Sequence, residues 1–257
     1  MQSMDEKPTR RWFQFSLRRL LIAFVVVSIV LSWLAWRYRI AERREAIAKM
    51  GRVYGATTQP KWRIWLLGDD WPAFSRELVL EGPQVTDDRL AYVGGLSRLQ
   101  GLHLYLTPVT DDGLAHLRSL RQLKNLQIAD SPGVTAAGLA HVEGLRELTT
   151  LGLYGVPVTD ASLVYLANLP ALKTLRLTRS KITDAGMVHF KGLRQLNRLD
   201  LTGCQITDDG IAQLRDLKQL ARLYVEHTEV SYYGARFLQS RVPNLLVIRE
   251  PLVKVVW

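Results

Sequence analysis

At 257 residues the chain can hold one or two domains with a core of ordinary size. Its single cysteine, Cys204, excludes an internal disulfide framework and any multi-thiolate metal site. The net charge of +10 is unevenly placed: residues 1–52 hold 11 Lys/Arg against 4 Asp/Glu, and residues 53–257 hold 23 against 20. The excess therefore flanks one apolar stretch, which suits anionic lipid headgroups and argues against a nucleic-acid face.

Residues 1–19 form a basic tail, expected in the cytosol. Residues 20–36, LLIAFVVVSIVLSWLAW, run for 17 positions without a charge. As a helix they reach about 26 Å, slightly short of a hydrocarbon core of roughly 30 Å. Arg18, Arg19, Arg37 and Arg39 can snorkel outward to make up the difference, with Trp12, Phe13, Trp33, Trp36 and Tyr38 at headgroup level. The segment is predicted to be a single-pass transmembrane helix, acting as a signal anchor. RYRIAERREA follows it, without the small residues a cleavage site needs. TRRWFQF at 9–15 looks like a twin-arginine export signal, but Arg18 and Arg19 interrupt the path to the apolar run. Basic residues number five before the span and six after it, which barely sets orientation. A short first tail favours the cytosol, so the C-terminal domain is expected on the extracytoplasmic side. Residues 37–52, rich in helix formers and closed by Gly51, are predicted to be a helical stalk.

Residues 53–84 are predicted to be an N-terminal cap containing a degenerate repeat, with Trp62, Trp65, Trp71 and Phe74 shielding the first coil and ELVLEGP (77–83) supplying a strand and loop. Repeats begin at Val85, Val109, Val134, Val158, Ile182, Ile206 and Val230, at intervals of 24, 25, 24, 24, 24 and 24. ITDDGIAQLRDLKQLARLYVEHTE (206–229) shows the skeleton. Ile211, Leu214 and Leu217 recur every three residues as one helical stripe; Leu223 and Val225 alternate, as a half-buried strand does. Neither element buries its apolar side alone, so the units must stack, helix on helix and strand on strand. Seven or eight strands at about 4.8 Å make a sheet roughly 35 Å long.

This pattern resembles the leucine-rich repeat, in the cysteine-containing form familiar from F-box receptors and from membrane-anchored bacterial proteins. The resemblance implies an α/β solenoid, with a parallel sheet on the concave face and helices on the convex face. It covers six repeats over 85–229, and a degenerate repeat and cap over 230–257, where Pro243 interrupts and PLVKVVW ends the chain.

The repeat frame also explains the residues that look chemical. VTDD at 85 and 109, and ITDD at 206, carry adjacent carboxylates that could hold a metal or share a proton. They recur with the repeat, whereas a catalytic pair would be unique. Thr86, Thr110, Thr135, Thr159, Thr183, Thr207 and Ser231 are instead predicted helix N-caps, with the Asp pairs in the first turn. Cys204 shares a repeat position with Thr107, Ser131, Val156, Ser180 and Thr228; the resemblance implies that this position faces inward and bonds loop backbone, with Val156 as a break. His116, His141 and His189 share another position, expected half-exposed on the convex side. No G-x-S-x-G, P-loop, H-E-x-x-H or paired C-x-x-C motif occurs. No enzyme, cofactor, metal, nucleic acid or small-molecule substrate is expected.

The positions flanking each strand's inward leucines are not required for folding and must point into the concave surface. Tyr and Arg are common anchors there, so Tyr105, Tyr154, Arg176, Arg198, Asp200, Arg222 and Tyr224 are the candidate protein-binding residues. Arg198, Asp200, Arg222 and Glu226 are expected to pair with one another. The function read from the sequence is a membrane-anchored repeat protein that binds an unidentified protein partner. The alternative is a structural repeat protein that self-associates at the bilayer.

Overall fold

The computed structural model describes residues 17–48 and 76–249. The predicted shield of Trp62, Trp65, Trp71 and Phe74, and the tail from 250, lie outside the described residues.

The N-terminal unit is one helix, α1 (Leu17–Ala48), of 32 residues. Its described side chains begin at Phe24, so the first four positions of the predicted 20–36 span lie outside them. From Phe24 to Trp36 the large apolar side chains are exposed, Phe24 at 73% and Ile29 at 63%. Among the described residues, no helix is long and apolar enough to cross a membrane.

The second unit is an α/β solenoid. Eight parallel strands pair in chain order: β1 (Glu77–Glu81), β2 (Gly101–Tyr105), β3 (Asn125–Ala129), β4 (Thr150–Tyr154), β5 (Thr174–Arg176), β6 (Arg198–Asp200), β7 (Arg222–Tyr224) and β8 (Leu246–Ile248). Each residue sits beside its equivalent in the next unit, as in Leu102↔Leu126 and Leu199↔Leu223. The strand leucines point to the helices: Leu102, Leu126, Leu151, Leu175, Leu199 and Leu223 are all 0% exposed. All seven repeat-start residues are buried as well, from Val85 to Val230. One cluster runs the length of the solenoid, from Leu78 to Leu245. Each fully buried leucine contributes about 1.5–3 kcal/mol relative to exposure.

The end segments Asp87–Gly94 and Tyr232–Arg241 are α-helices, while several inner ones are short and partly 3₁₀. Asp184–Gly192 is a 3₁₀ helix throughout, and Asp111–Ala115 passes into a 3₁₀ turn over His116–Ser119. Met187, Phe190 and Leu193 recur every third residue, a spacing that a helix of 3.0 residues per turn keeps on one face.

Four of the threonines cap these segments as expected, and each of the four also does a second job. Thr110, Thr135, Thr183 and Thr207 accept the backbone N–H two residues on at 3.2–3.3 Å. Each also donates its hydroxyl, at 2.6 Å, to the first aspartate of the preceding unit: Asp87, Asp111, Asp160 and Asp184 respectively. The other oxygen of that aspartate accepts the same threonine's backbone N–H at 2.7–2.9 Å. Asp208 and Ser231 repeat the arrangement at the last junction. The carboxylate needs room, which explains the glycine of T-D-x-G: a Cβ on Gly113, Gly138, Gly186, Gly210 or Gly234 would collide with that same aspartate.

One junction lacks the bond and shows its logic. Ala136 replaces the aspartate, and Ser162 replaces the glycine in the following unit. Ser162 Oγ then takes the Thr159 backbone N–H at 3.1 Å, within one repeat rather than across two. Thr86, in the first complete unit, makes no side-chain cap bond.

The Cys204 position behaves as the resemblance implies. Thr107, Ser131, Val156, Ser180 and Cys204 are buried. The Thr107 and Ser131 hydroxyls bond each other at 2.8 Å, Val156 breaks the series, and Ser180 Oγ beyond it has no partner. The Cys204 thiol donates to the Leu177 carbonyl at 3.2 Å, and burial pushes its pKa up to about 11.

Candidate interaction face

Where the strand leucines face the helices, the alternate residues face outward in columns set by the register. One column runs Val79, His103, Gln127, Gly152, Arg176, Asp200, Tyr224. A second places Arg198 beside Arg222, after Thr150 and Thr174. Tyr105 and Tyr154 stand in a third, separated by Ala129. The seven candidate residues thus share one face of one sheet. They fall at two places on it: Tyr105 over β2, and the other six over β4–β7.

The two halves differ chemically. Over β2 and β3 the side chains satisfy each other in a ring. The Tyr105 hydroxyl donates to Gln127 Oε1 at 3.1 Å, and Gln127 Nε2 donates to Asn125 Oδ1 at 3.4 Å. Asn125 Nδ2 lies 3.4 Å from His103 Nε2, and His103 Nδ1 lies 2.9 Å from the Tyr105 hydroxyl. The ring closes only for the neutral Nδ1–H tautomer of His103, inferred here from the network. Burial holds the His103 pKa below its ordinary value, opposed by Glu77, which favours that state. Burial likewise raises the Tyr105 pKa, with Tyr154 adding to the rise and Arg176 opposing it. Periodicity placed these residues on the face but could not show the ring, because it depends on register between strands.

Over β4–β7 the face is cationic and incompletely satisfied. Arg176 donates to the Tyr154 hydroxyl at 2.9 Å, and the Tyr154 ring lies against Gly152, where a Cβ would approach it to 2.9 Å. The Arg198 guanidinium sits 4.5 Å from the Tyr224 ring centroid, a cation–π contact, and its Nε is buried without a hydrogen-bond partner. Asp200 accepts the Thr202 backbone N–H at 3.1 Å. The expected mutual pairing of Arg198, Asp200, Arg222 and Glu226 is therefore corrected: Arg198 is committed to an aromatic ring and Asp200 to backbone. Arg222 is exposed directly beside Arg198 in the column. Like charges so placed oppose folding slightly, and an anionic group between them relieves the strain.

Among the described residues, no three His, Cys, Asp or Glu side chains gather as a metal site. His116 is exposed, and His141 and His189 are half-buried on the helical side.

These repeats define a leucine-rich-repeat domain. A family model described as leucine rich repeat matches residues 146–206 and 170–230. Among solved structures the chain is similar to internalin C2 of Listeria monocytogenes, at 22% identity and a TM-score of 0.54, over 68% of this chain and 80% of that one. It is also similar to the plant peptide hormone receptor RGFR1, solved in complex with RGF2, at 18% identity and a TM-score of 0.42, over 62% of this chain and 25% of that one. At these identities the likeness to internalin C2 speaks to the fold alone. No curated protein matches the chain.

Proposed function

We propose that the chain is a membrane-anchored leucine-rich-repeat protein that binds a protein partner through the concave side of its sheet and catalyses no reaction. The observation that carries the binding reading is the cationic half of the face, where Arg198 keeps a buried, unpartnered Nε beside exposed Arg222. Arg176, Tyr154 and Tyr224 flank it, and Tyr and Arg are the residue types that anchor interfaces. The membrane reading is supported by the exposed Phe24, Val26, Ile29, Leu31 and Leu34 of α1, which water would solvate poorly. The same proposal puts the repeat domain on the extracytoplasmic side.

Capture from detergent-solubilised cells tests the binding reading. Wild-type chain should retain a client that is lost from the variant carrying Arg176→Ala, Arg198→Ala and Tyr224→Ala. Loss of self-association instead, with no client in either sample, would favour a structural role. Protease accessibility in intact cells compared with spheroplasts tests the side: cleavage in intact cells of an organism with a single membrane, or only after spheroplasting of one with two, is expected. Protection in both overturns it.

A further inference from the structure

The parallel sheet sorts the solenoid's charges. Because all strands run the same way, every helix-to-strand connection lies on one edge and every strand-to-helix connection on the other. On the first edge, segments 93–100, 117–124, 142–149, 166–173, 190–197 and 214–221 hold 10 Lys/Arg against 3 Asp/Glu. On the second, segments 81–88, 105–112, 129–137, 154–161, 178–185, 202–209 and 226–233 hold 12 Asp/Glu against 2 Lys/Arg. The acidic edge has a structural reason, since five of its aspartates hold the next unit's cap. On the basic edge Lys218 has a comparable one, donating to the Arg215 and Arg241 carbonyls at 2.8 and 3.0 Å. Arg121, Arg146 and Arg194 lie beyond the helix ends, are exposed, and cap nothing. Arg118, Arg121 and Arg146 also line an open hollow of about 750 Å³, shared with Glu143 and Glu147 and with His141, whose Nδ1 is buried without a partner.

We propose that this basic edge rests on an anionic lipid surface, so that the solenoid stands side-on to the bilayer with its acidic edge turned away. The inference rests on the membrane-anchor reading for proximity: attraction to a charged surface fades within about 8 Å at physiological salt, and a tethered domain stays close. A lipid surface fits the pattern better than one folded partner, because charges spread over six units need a continuous anionic plane rather than a matched epitope. Side-on docking leaves the concave face open to a client.

Cys204 makes the test clean. It is buried, with a thiol pushed up to about 11, so a cysteine placed at exposed Gln122 on the basic edge or exposed Gln205 on the acidic edge can be labelled selectively. The labelled full chain is reconstituted into phosphatidylcholine vesicles, with or without phosphatidylglycerol, that carry a headgroup-level quencher lipid. Label at Gln122→Cys should be quenched several-fold more in anionic than in neutral vesicles, and label at Gln205→Cys in neither. Combining Arg121→Glu, Arg146→Glu and Arg194→Glu, or raising NaCl to about 0.5 M, should abolish the difference. Equal quenching at both sites, or no dependence on phosphatidylglycerol, overturns the proposal. Flotation keeps the two readings apart. A chain that floats with neutral vesicles but shows no anionic quenching refutes edge docking alone; recruitment and quenching only on anionic vesicles refutes the anchor alone. Cross-linked dimers that dissolve on charge reversal while quenching persists unchanged would assign the reversed arginines to a second copy and also overturn it.

Discussion

At the scale of single residues, the aspartate that opens five of the helical segments is the joint between neighbouring units. Each accepts two hydrogen bonds from one threonine, or from Ser231 at the last junction, and a charged acceptor makes such bonds worth about 1.5–3 kcal/mol. Thr183→Ala therefore removes both a cap and a partner of Asp160. It should cost more than the roughly 1 kcal/mol of a lost cap alone, and urea unfolding reads the difference. Gly210→Ala should destabilise by about 1–3 kcal/mol, because its methyl would collide with Asp184. The broken junction offers a stricter check. Ala136→Asp alone should destabilise, since Ser162 occupies the glycine position, and adding Ser162→Gly should recover most of the loss. A double-mutant cycle showing the two changes to be additive would falsify the steric account.

At the scale of elements, the strands and helix starts were legible because hydrophobic period and cap chemistry are local. Leu223 with Val225, and Thr207 ahead of Asp208, declare themselves within a few residues. The 3₁₀ character was not legible: Met187 and Phe190 share the three-residue spacing of Leu90 and Val93, which lie on an α-helix. What depended on the neighbouring unit was not legible. Asp184 reads as a dipole partner until the adjacent repeat is beside it, when Thr207 and Gly210 give it an address. The same holds for the left-handed residue after each strand: Gly82, Gly155 and Gly203 advertise it, while Leu106, Asp130, Arg179 and His227 adopt it unannounced. The ring on β2 and β3 yields a prediction at this scale. Burial holds His103 and His141 below their ordinary value, so in mild acid the folded chain binds fewer protons than the unfolded one. Their contribution is full above about pH 6.5 and lost as pH falls through the lowered values. Thermal melts at about pH 7.5 and about pH 5 should show a lower Tm in acid, and His103→Asn should shrink the difference.

At the scale of the whole molecule, the near-balance of 23 Lys/Arg against 20 Asp/Glu over residues 53–257 conceals two edges of opposite sign. Composition alone could not reveal this, since only a parallel sheet sorts connections by direction. Stability is also unevenly distributed. At the junction between the units starting at Val134 and Val158, Ala136 removes the aspartate joint, and Val156 interrupts the inner polar series. In a stacked protein each interface adds its own term, so this one should open first. Amide exchange should show two blocks of protection that part between residues 130 and 160, rather than one cooperative unit. Core strands set the contrast: Leu199→Ala should cost about 2–5 kcal/mol wherever the block boundary falls.

The reach of each aspartate into the following unit has a further implication for length. A segment bearing aspartate third and glycine fifth, such as 206–229, offers the socket on one side and the plug on the other. Such modules are interchangeable along the stack. Duplicating this one in tandem should extend the protein by one strand, about 4.8 Å, without any redesigned contact, and small-angle scattering would register the longer particle. The chain is in this sense an extensible ruler, adjustable by whole units wherever plug meets socket.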